Sequence, residues 1–285
     1  MSGHDSVRAA VSEAYARAVA SPSGGCCGAG PVPKGVVAKL AGYETHELSA
    51  LPADAVTNSF GCGNPLAFAD VRRGEVVLDL GSGAGIDLLI AAGKVGPSGR
   101  VIGVDMTEEM IERARRNVAA AELTNVEVRK GLIEELPVAA ASVDWVISNC
   151  VINLSPEKDR AFAEIARVLK PGGRMVVSDI VAEELPDTVR SDPALYSSCL
   201  AGAISEAEYL AGLERAGLVE TEVRERLVYD ASQLAGLACS EELSCGETAA
   251  GDGRSASVGL RTRAVADLLA GKIWSARFHA RKPRE

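Results

Sequence analysis

EVVLDLGSGAGID, residues 75–87, reads as a strand that enters a glycine-punctuated turn and leaves it as a helix. Glu75 to Gly81 is a near-continuous apolar run, the pattern of a strand covered on both faces. Gly81, Gly83 and Gly85 follow at alternate positions, and IDLLIAAGKVG continues as a helix that stops at Gly93 or Gly96. A strand–turn–helix of this kind brings bare backbone close to a nucleotide-bearing ligand.

The pattern repeats outward from that stretch. RVIGVDM is the next buried strand. TEEMIERARRNVAAAEL is a helix that the Thr107 hydroxyl can cap, with Glu108 and Glu109 at the positive end of its dipole. VEVRKG, VDWVISN and GRMVVSDIV are further strands, EKDRAFAEIARVL is a helix, and KPGGR is the turn between that helix and the last of these strands. Such alternation predicts an α/β fold, a doubly wound, mostly parallel Rossmann-like sheet with helices on both faces. Past Val181, SEAEYLAGLERAGL is helical, TEVRERLVYD alternates like a strand and KIWSARFHARK closes the chain as another, giving a C-terminal α+β region. Cys239 to Leu260 is rich in Gly and small polar residues and predicts a loop or insertion. The lead-in is a helix followed by the hinge SPSGGCCGAGPVP. The chain divides into a lead-in and lid region (1–70), a nucleotide-binding core (71–184) and a C-terminal region (185–285).

Composition narrows the function. Thirty basic against thirty-nine acidic side chains in 285 residues give a net charge of −9, which disfavours a nucleic-acid partner. No stretch approaches the roughly 18 consecutive apolar residues of a membrane span. MSGHDSVRAAVSEAYARAVA carries Asp5 and Glu13 and reads as an amphipathic helix, not a secretory signal. These features predict a cytoplasmic protein without a membrane partner, and nothing demands more than a monomer. The seven cysteines then point to thiol chemistry or burial and not to a disulfide framework. Only His4, His46 and His279 are present, a poor basis for a histidine triad or zinc site.

Two acids identify the nucleotide. Asp79 sits just before the glycine turn, where a carboxylate attracts a cation and repels a pyrophosphate. Asp105 ends the second strand, placed for ribose hydroxyls. A ligand with a ribose, a positive charge and no phosphate is S-adenosyl-L-methionine. VVLDLGSGAGID with GVDM resembles the class I S-adenosylmethionine-dependent methyltransferases. The resemblance implies Asp79, Gly81, Gly83 and Gly85 around the methionine portion, Asp105 on the ribose and Met106 against the adenine. It implies that the Ile133 backbone and the Glu134 carboxylate read the adenine edge, with Ser82 and Asn149 also among the cofactor-binding residues.

After the fourth strand, SNCVINLSPEK lacks the Asn/Asp-Pro-Pro-aromatic motif of many amino-nitrogen methyltransferases, and Cys150 stands at the mouth of the cleft. Cys62 precedes the first strand and Cys199 follows the fifth. Thiolates from three such loops suit a soft, thiophilic centre. GCGNP, SNCVINLSP, LKPGGRMVVSDIV and CLAGA, in this order, resemble the arsenite methyltransferases. That resemblance implies trivalent arsenic held by Cys62, Cys150 and Cys199, with arsenite and methylated arsenicals as substrates. It implies a disulfide of Cys62 with either Cys26 or Cys27, reopened by a thiol reductant, thioredoxin or glutathione. Cys239 and Cys245 lie outside the matching region and are expected to be non-catalytic. The alternatives are a class I methyltransferase of a small organic substrate, and a metalloid-sequestering protein without transferase activity.

Overall fold

In a computed structural model the described residues are 3–20, 43, 48–49, 51–59, 63–67, 69–190, 196, 199–229 and 269–285. Seven strands form one sheet: β1 (Val76–Leu80), β2 (Arg100–Asp105), β3 (Val126–Lys130), β4 (Val143–Asn149), β5 (Leu169–Ala182), β6 (Val219–Val228) and β7 (Ile273–Arg281). Their order is β3-β2-β1-β4-β5-β7-β6. β1 to β5 pair in parallel, and β7 lies antiparallel between β5 and β6. This is the doubly wound, mostly parallel sheet expected from the alternation.

Seven α-helices accompany the sheet among the described residues: α1 (Gly3–Ala20), α2 (Ala53–Thr57), α3 (Ile86–Val95), α4 (Glu108–Ala120), α5 (Lys158–Val168), α6 (Asp187–Arg190) and α7 (Glu206–Arg215). Residues alternate between the two faces of each strand. Val77, Val101 and Ile147 therefore meet Ile86, Leu88 and Ile111 of α3 and α4, while Leu78, Leu80 and Val146 meet Phe162, Ile165 and Leu213 of α5 and α7. Burial on both faces is why these strands read as unbroken apolar runs. Tyr209 of α7 stacks on Phe278 of β7 at 3.8 Å between centroids and meets Phe162 of α5 edge-on at 5.0 Å, tying the late elements to the core.

Local signals held with two exceptions. α3 ends at Gly96, in a left-handed conformation (φ +65°), while Gly93 lies inside the helix. Ser205 and Glu208 form a reciprocal capping box at α7. Thr107 does occupy the N-cap of α4, but its hydroxyl makes no cap bond and instead donates to Ser12 Oγ of α1 at 3.2 Å. Docking of the N-terminal helix has taken the group that the helix end would have used. KPGGR is not a separate turn. Val143 pairs with Leu169 and Trp145 with Arg174, so five steps on β5 oppose two on β4, and the segment bulges within the strand.

The sheet order reverses at β1, which has β2 on one side and β4 on the other. Leu80 lies beside Val104 and Ser148, and Asn149 beside Ser178. The residues that follow β1 and β4 thus open at one edge, at the switch point where such sheets bind ligands.

Candidate active site

A cavity opens at this switch point. Gly81, Ser82 and Gly83 form one wall, Asp105 and Met106 a second, Ile133 and Glu134 a third, and Asn149 and Cys150 a fourth. Gly81 holds φ +65°, and a Cβ there would lie 2.3 Å from Val151 Cγ2. Only glycine allows the segment after β4 to press on the loop after β1. Asp79 and Gly85 stand behind the wall: Asp79 is buried in β1, and Gly85 is the N-cap of α3.

The cavity is acidic. Asp105 Oδ2 accepts from the Gly83 N–H at 2.9 Å and Oδ1 from the Thr107 N–H at 2.9 Å, so this carboxylate braces the glycine loop as well as lining the site. Burial raises its pKa, and those backbone donors oppose the rise. Asp79 is pushed well above the ordinary carboxylate range by burial, then by the charges of Asp87 and Asp105. Asp87, in the first turn of α3, lines the cavity and accepts from the Tyr43 hydroxyl at 2.8 Å. The same hydroxyl accepts from Asn149 Nδ2 at 3.1 Å. Burial, then the Asp87 charge, lifts the Tyr43 pKa well above its usual value.

Among the lining residues the base is Arg8 of α1, whose Nη2 bonds Glu134 Oε1 at 3.1 Å and also pairs with Glu157. Ser155 Oγ donates to the same Glu134 oxygen at 2.6 Å. A pyrophosphate would meet uncompensated like charge here, whereas a cation carrying ribose hydroxyls matches the wall. The residues present fit S-adenosylmethionine.

Cys150 follows β4 directly, donates its N–H to the Ser178 carbonyl at 2.8 Å and lines the cavity. Cys199 lies behind it, and its Sγ donates to the Cys150 carbonyl at 2.8 Å. Both are buried, at 4% and 1% exposure, which sets them within reach of one another and out of bulk water. Both adopt left-handed backbone, at φ +59° and +58°. For a residue with a Cβ that conformation costs about 1–2 kcal/mol, so neighbours must hold it. One such contact is at Gly202, where a Cβ would lie 2.0 Å from the Asn153 carbonyl oxygen. Lys158 Nζ donates to the Asn153 and Ser155 carbonyls at 3.3 and 2.9 Å. Burial lowers the Lys158 pKa, and the charges of Asp179 and Cys199 oppose the fall.

Cys150 is disulfide-bonded in this structure, and Cys199 is not. Cys26, Cys27, Cys62, Cys239 and Cys245, with the Cys239–Leu260 insertion, lie outside the described residues.

Sequence reasoning missed Asp87, Tyr43, Arg8 and Ser155. Asp87 was visible, an acid in the first turn after the glycine loop. Tyr43 and Arg8 carry no local signal, because their partners are 44 and 126 residues away.

A model described as a methyltransferase domain matches residues 72–217. The arsenite methyltransferase of Halobacterium salinarum is 49% identical over 204 residues, 71% of this chain and 51% of that protein. The arsenite methyltransferase of Aquipseudomonas alcaligenes is 43% identical over 174 residues, 58% of this chain and 50% of that protein. This chain thus spans about half the length of the curated relatives it matches. The crystal structure of CrArsM, an arsenic(III) S-adenosylmethionine methyltransferase from Chlamydomonas reinhardtii, superposes with a TM-score of 0.60 at 32% identity, covering 88% of this chain and 74% of that one. With the acidic, glycine-walled cavity and the Cys150–Cys199 contact at its edge, these similarities place the chain in the methyltransferase-domain family and, within it, among the arsenite methyltransferases.

Proposed function

We propose that this chain transfers methyl groups to trivalent arsenic held by Cys62, Cys150 and Cys199. The contact between Cys199 Sγ and the Cys150 carbonyl, at the edge of the glycine-loop cavity, carries the proposal. It puts two buried cysteines from separate loops beside the place where the methyl donor would lie. S-adenosylmethionine supplies, when bound, an electrophilic methyl group on a sulfonium sulfur.

The chain's own part is positioning. Gly81, Ser82 and Gly83 receive the methionine portion, Asp105 the ribose, and Met106, Ile133 and Glu134 the adenine. Asp87, in the cavity lining, supplies a carboxylate that favours a cationic ligand, with Asp79 behind the wall. Thiolates hold arsenic, since the thiolate is the metalloid ligand. Arsenic bound to three sulfurs keeps a lone pair that forms the new bond to carbon, so no proton must be removed and no general base is required.

Forming the arsenic–carbon bond leaves arsenic two electrons more oxidised. Two thiols closing to a disulfide return those electrons; Cys62 with Cys26 or Cys27 is the proposed pair, reopened by glutathione or thioredoxin. A monomer in the reducing cytoplasm suits this cycle. No helix among the described residues is long and apolar enough to cross a membrane.

The test is purified, reduced protein with arsenite, glutathione and labelled S-adenosylmethionine. Methylated arsenicals are the expected product. Arsenite binding without transfer would support sequestration instead, and neither result would favour an organic substrate.

A further inference from the structure

We propose that Gly202 and Asn153 are positioning residues whose close approach sets how far Cys199 stands from Cys150. Their part in arsenic capture rests on the reading above. The chain leaves each cysteine by an arm of three residues, from Cys150 to Asn153 and from Cys199 to Gly202. At the near end the arms are joined by the 2.8 Å hydrogen bond from Cys199 Sγ to the Cys150 carbonyl. At the far end a Cβ on Gly202 would lie 2.0 Å from the Asn153 carbonyl oxygen. Two arms and two contacts thus close a ring. Gly202 holds no left-handed backbone, so a side chain is excluded there by space alone.

Neither arm can retreat. Asn153, fully buried, is tied at three points. Its N–H donates to Asp179 Oδ2 at 3.2 Å, its side-chain amide donates to the Ile180 carbonyl at 2.6 Å, and its carbonyl accepts from Lys158 Nζ at 3.3 Å. Beyond Gly202 the second arm is moored as well. Ile204 bridges Val181 in parallel, and its carbonyl takes the Ala182 N–H at 3.2 Å. The end of β5, Asp179 to Ala182, is therefore the common base of both arms. Bulk added at Gly202 meets a fixed oxygen on one side and a fixed bridge on the other. Residues 199–201 must then move, and Cys199 with them, because packed interiors have low compressibility and pass strain on.

The consequence is chemical. One trivalent arsenic binds two protein sulfurs as a chelate only when both reach it together. A displaced Cys199 breaks the chelate, while the cofactor wall after β1 and β2 is left in place. A residue that only supported the fold would weaken both sites alike.

The probe is phenylarsine oxide, a trivalent arsenical whose carbon substituent leaves two positions for sulfur. It is titrated into a reduced, full-length parent in which Cys26, Cys27, Cys62, Cys239 and Cys245 are replaced by Ser. The same titration is run with Gly202→Ala or Asn153→Ser added, and Kd for S-adenosylmethionine is measured on each. The parent should bind one equivalent. Gly202→Ala should weaken binding of the probe by about a hundredfold or more, the loss expected when a second attachment is forbidden by geometry. Its cofactor Kd should stay near the parent value. Unchanged affinity for the probe, a cofactor Kd that weakens in step, or a parent that binds no probe would overturn the proposal. Should Gly202→Ala not fold, Asn153→Ser removes the tie to Ile180 and should cost up to about tenfold in probe affinity alone. No loss there, or an equal loss of cofactor binding, overturns it. A wild-type chain that methylates no arsenical, beside the expected probe results, would sink the arsenic reading and leave the clamp standing.

Discussion

The thiol of Cys199 donates to the carbonyl oxygen of Cys150 at 2.8 Å, across 49 residues of sequence. Two left-handed cysteines, each on a loop at the open edge of the sheet, are thereby locked into one unit with the cavity wall.

Cys199→Ser keeps a donor for that hydrogen bond and removes the soft ligand. Arsenite methylation should fall by about a hundredfold or more, because the third arsenic anchor is lost and the nucleophile is no longer held in line. Affinity for S-adenosylmethionine, measured by calorimetry, should change little. A parallel loss of cofactor binding would mean that Cys199 serves the fold and not the metalloid.

Asp105→Ala leaves the Gly83 and Thr107 N–H groups without their charged acceptor. Charge-assisted bonds of this type contribute about 1.5–3 kcal/mol, so cofactor Kd should weaken by at least about tenfold. Arsenite binding to the reduced thiols should be retained.

Asp179 gives the protein a pH-dependent stability. Burial raises its carboxyl to about 7, against donors from Ile180 and Asn153 and the Lys158 charge. Its folded pKa lies above the unfolded value. Its contribution is therefore complete below the ordinary carboxylate range and is lost as pH rises through about 7. Between about pH 5 and pH 7, wild-type stability should fall relative to Asp179→Asn by up to about 1.4 kcal/mol per pH unit. Urea midpoints across that window check the slope, and parallel curves would refute it.

Arg8→Met leaves the carboxylate of Glu134, 5% exposed, with Ser155 but without its cation. An uncompensated buried charge of this kind should cost about 2 kcal/mol, less than a fully orphaned ion. A lowered thermal midpoint that the double variant Arg8→Met/Glu134→Gln partly restores would show the loss is electrostatic.

The sheet was legible because its signals are local. Unbroken apolar strands and Gly96 after α3 each speak within a few residues. One side of the cavity was legible for the same reason, since Gly81 to Gly83 follow β1 and Asp105 ends β2. What stayed hidden depends on distant partners. Thr107 could not announce that Ser12 would claim its hydroxyl, nor Tyr43 that it would join Asp87 to Asn149. KPGGR misled because a bulge and a turn share the same glycines, and only the ladder on β4 distinguishes them. Asn149 lines the cavity, and its hydrogen bonds to Gly63 and Tyr43, 86 and 106 residues away, left no local signal.

Arsenic-edge X-ray absorption on the reduced protein with one equivalent of arsenite addresses the proposed thiolate cradle most directly. Three sulfur neighbours are predicted for the wild type and two for Cys199→Ser. An oxygen-dominated shell, or a sulfur count that the substitution leaves unchanged, would contradict it.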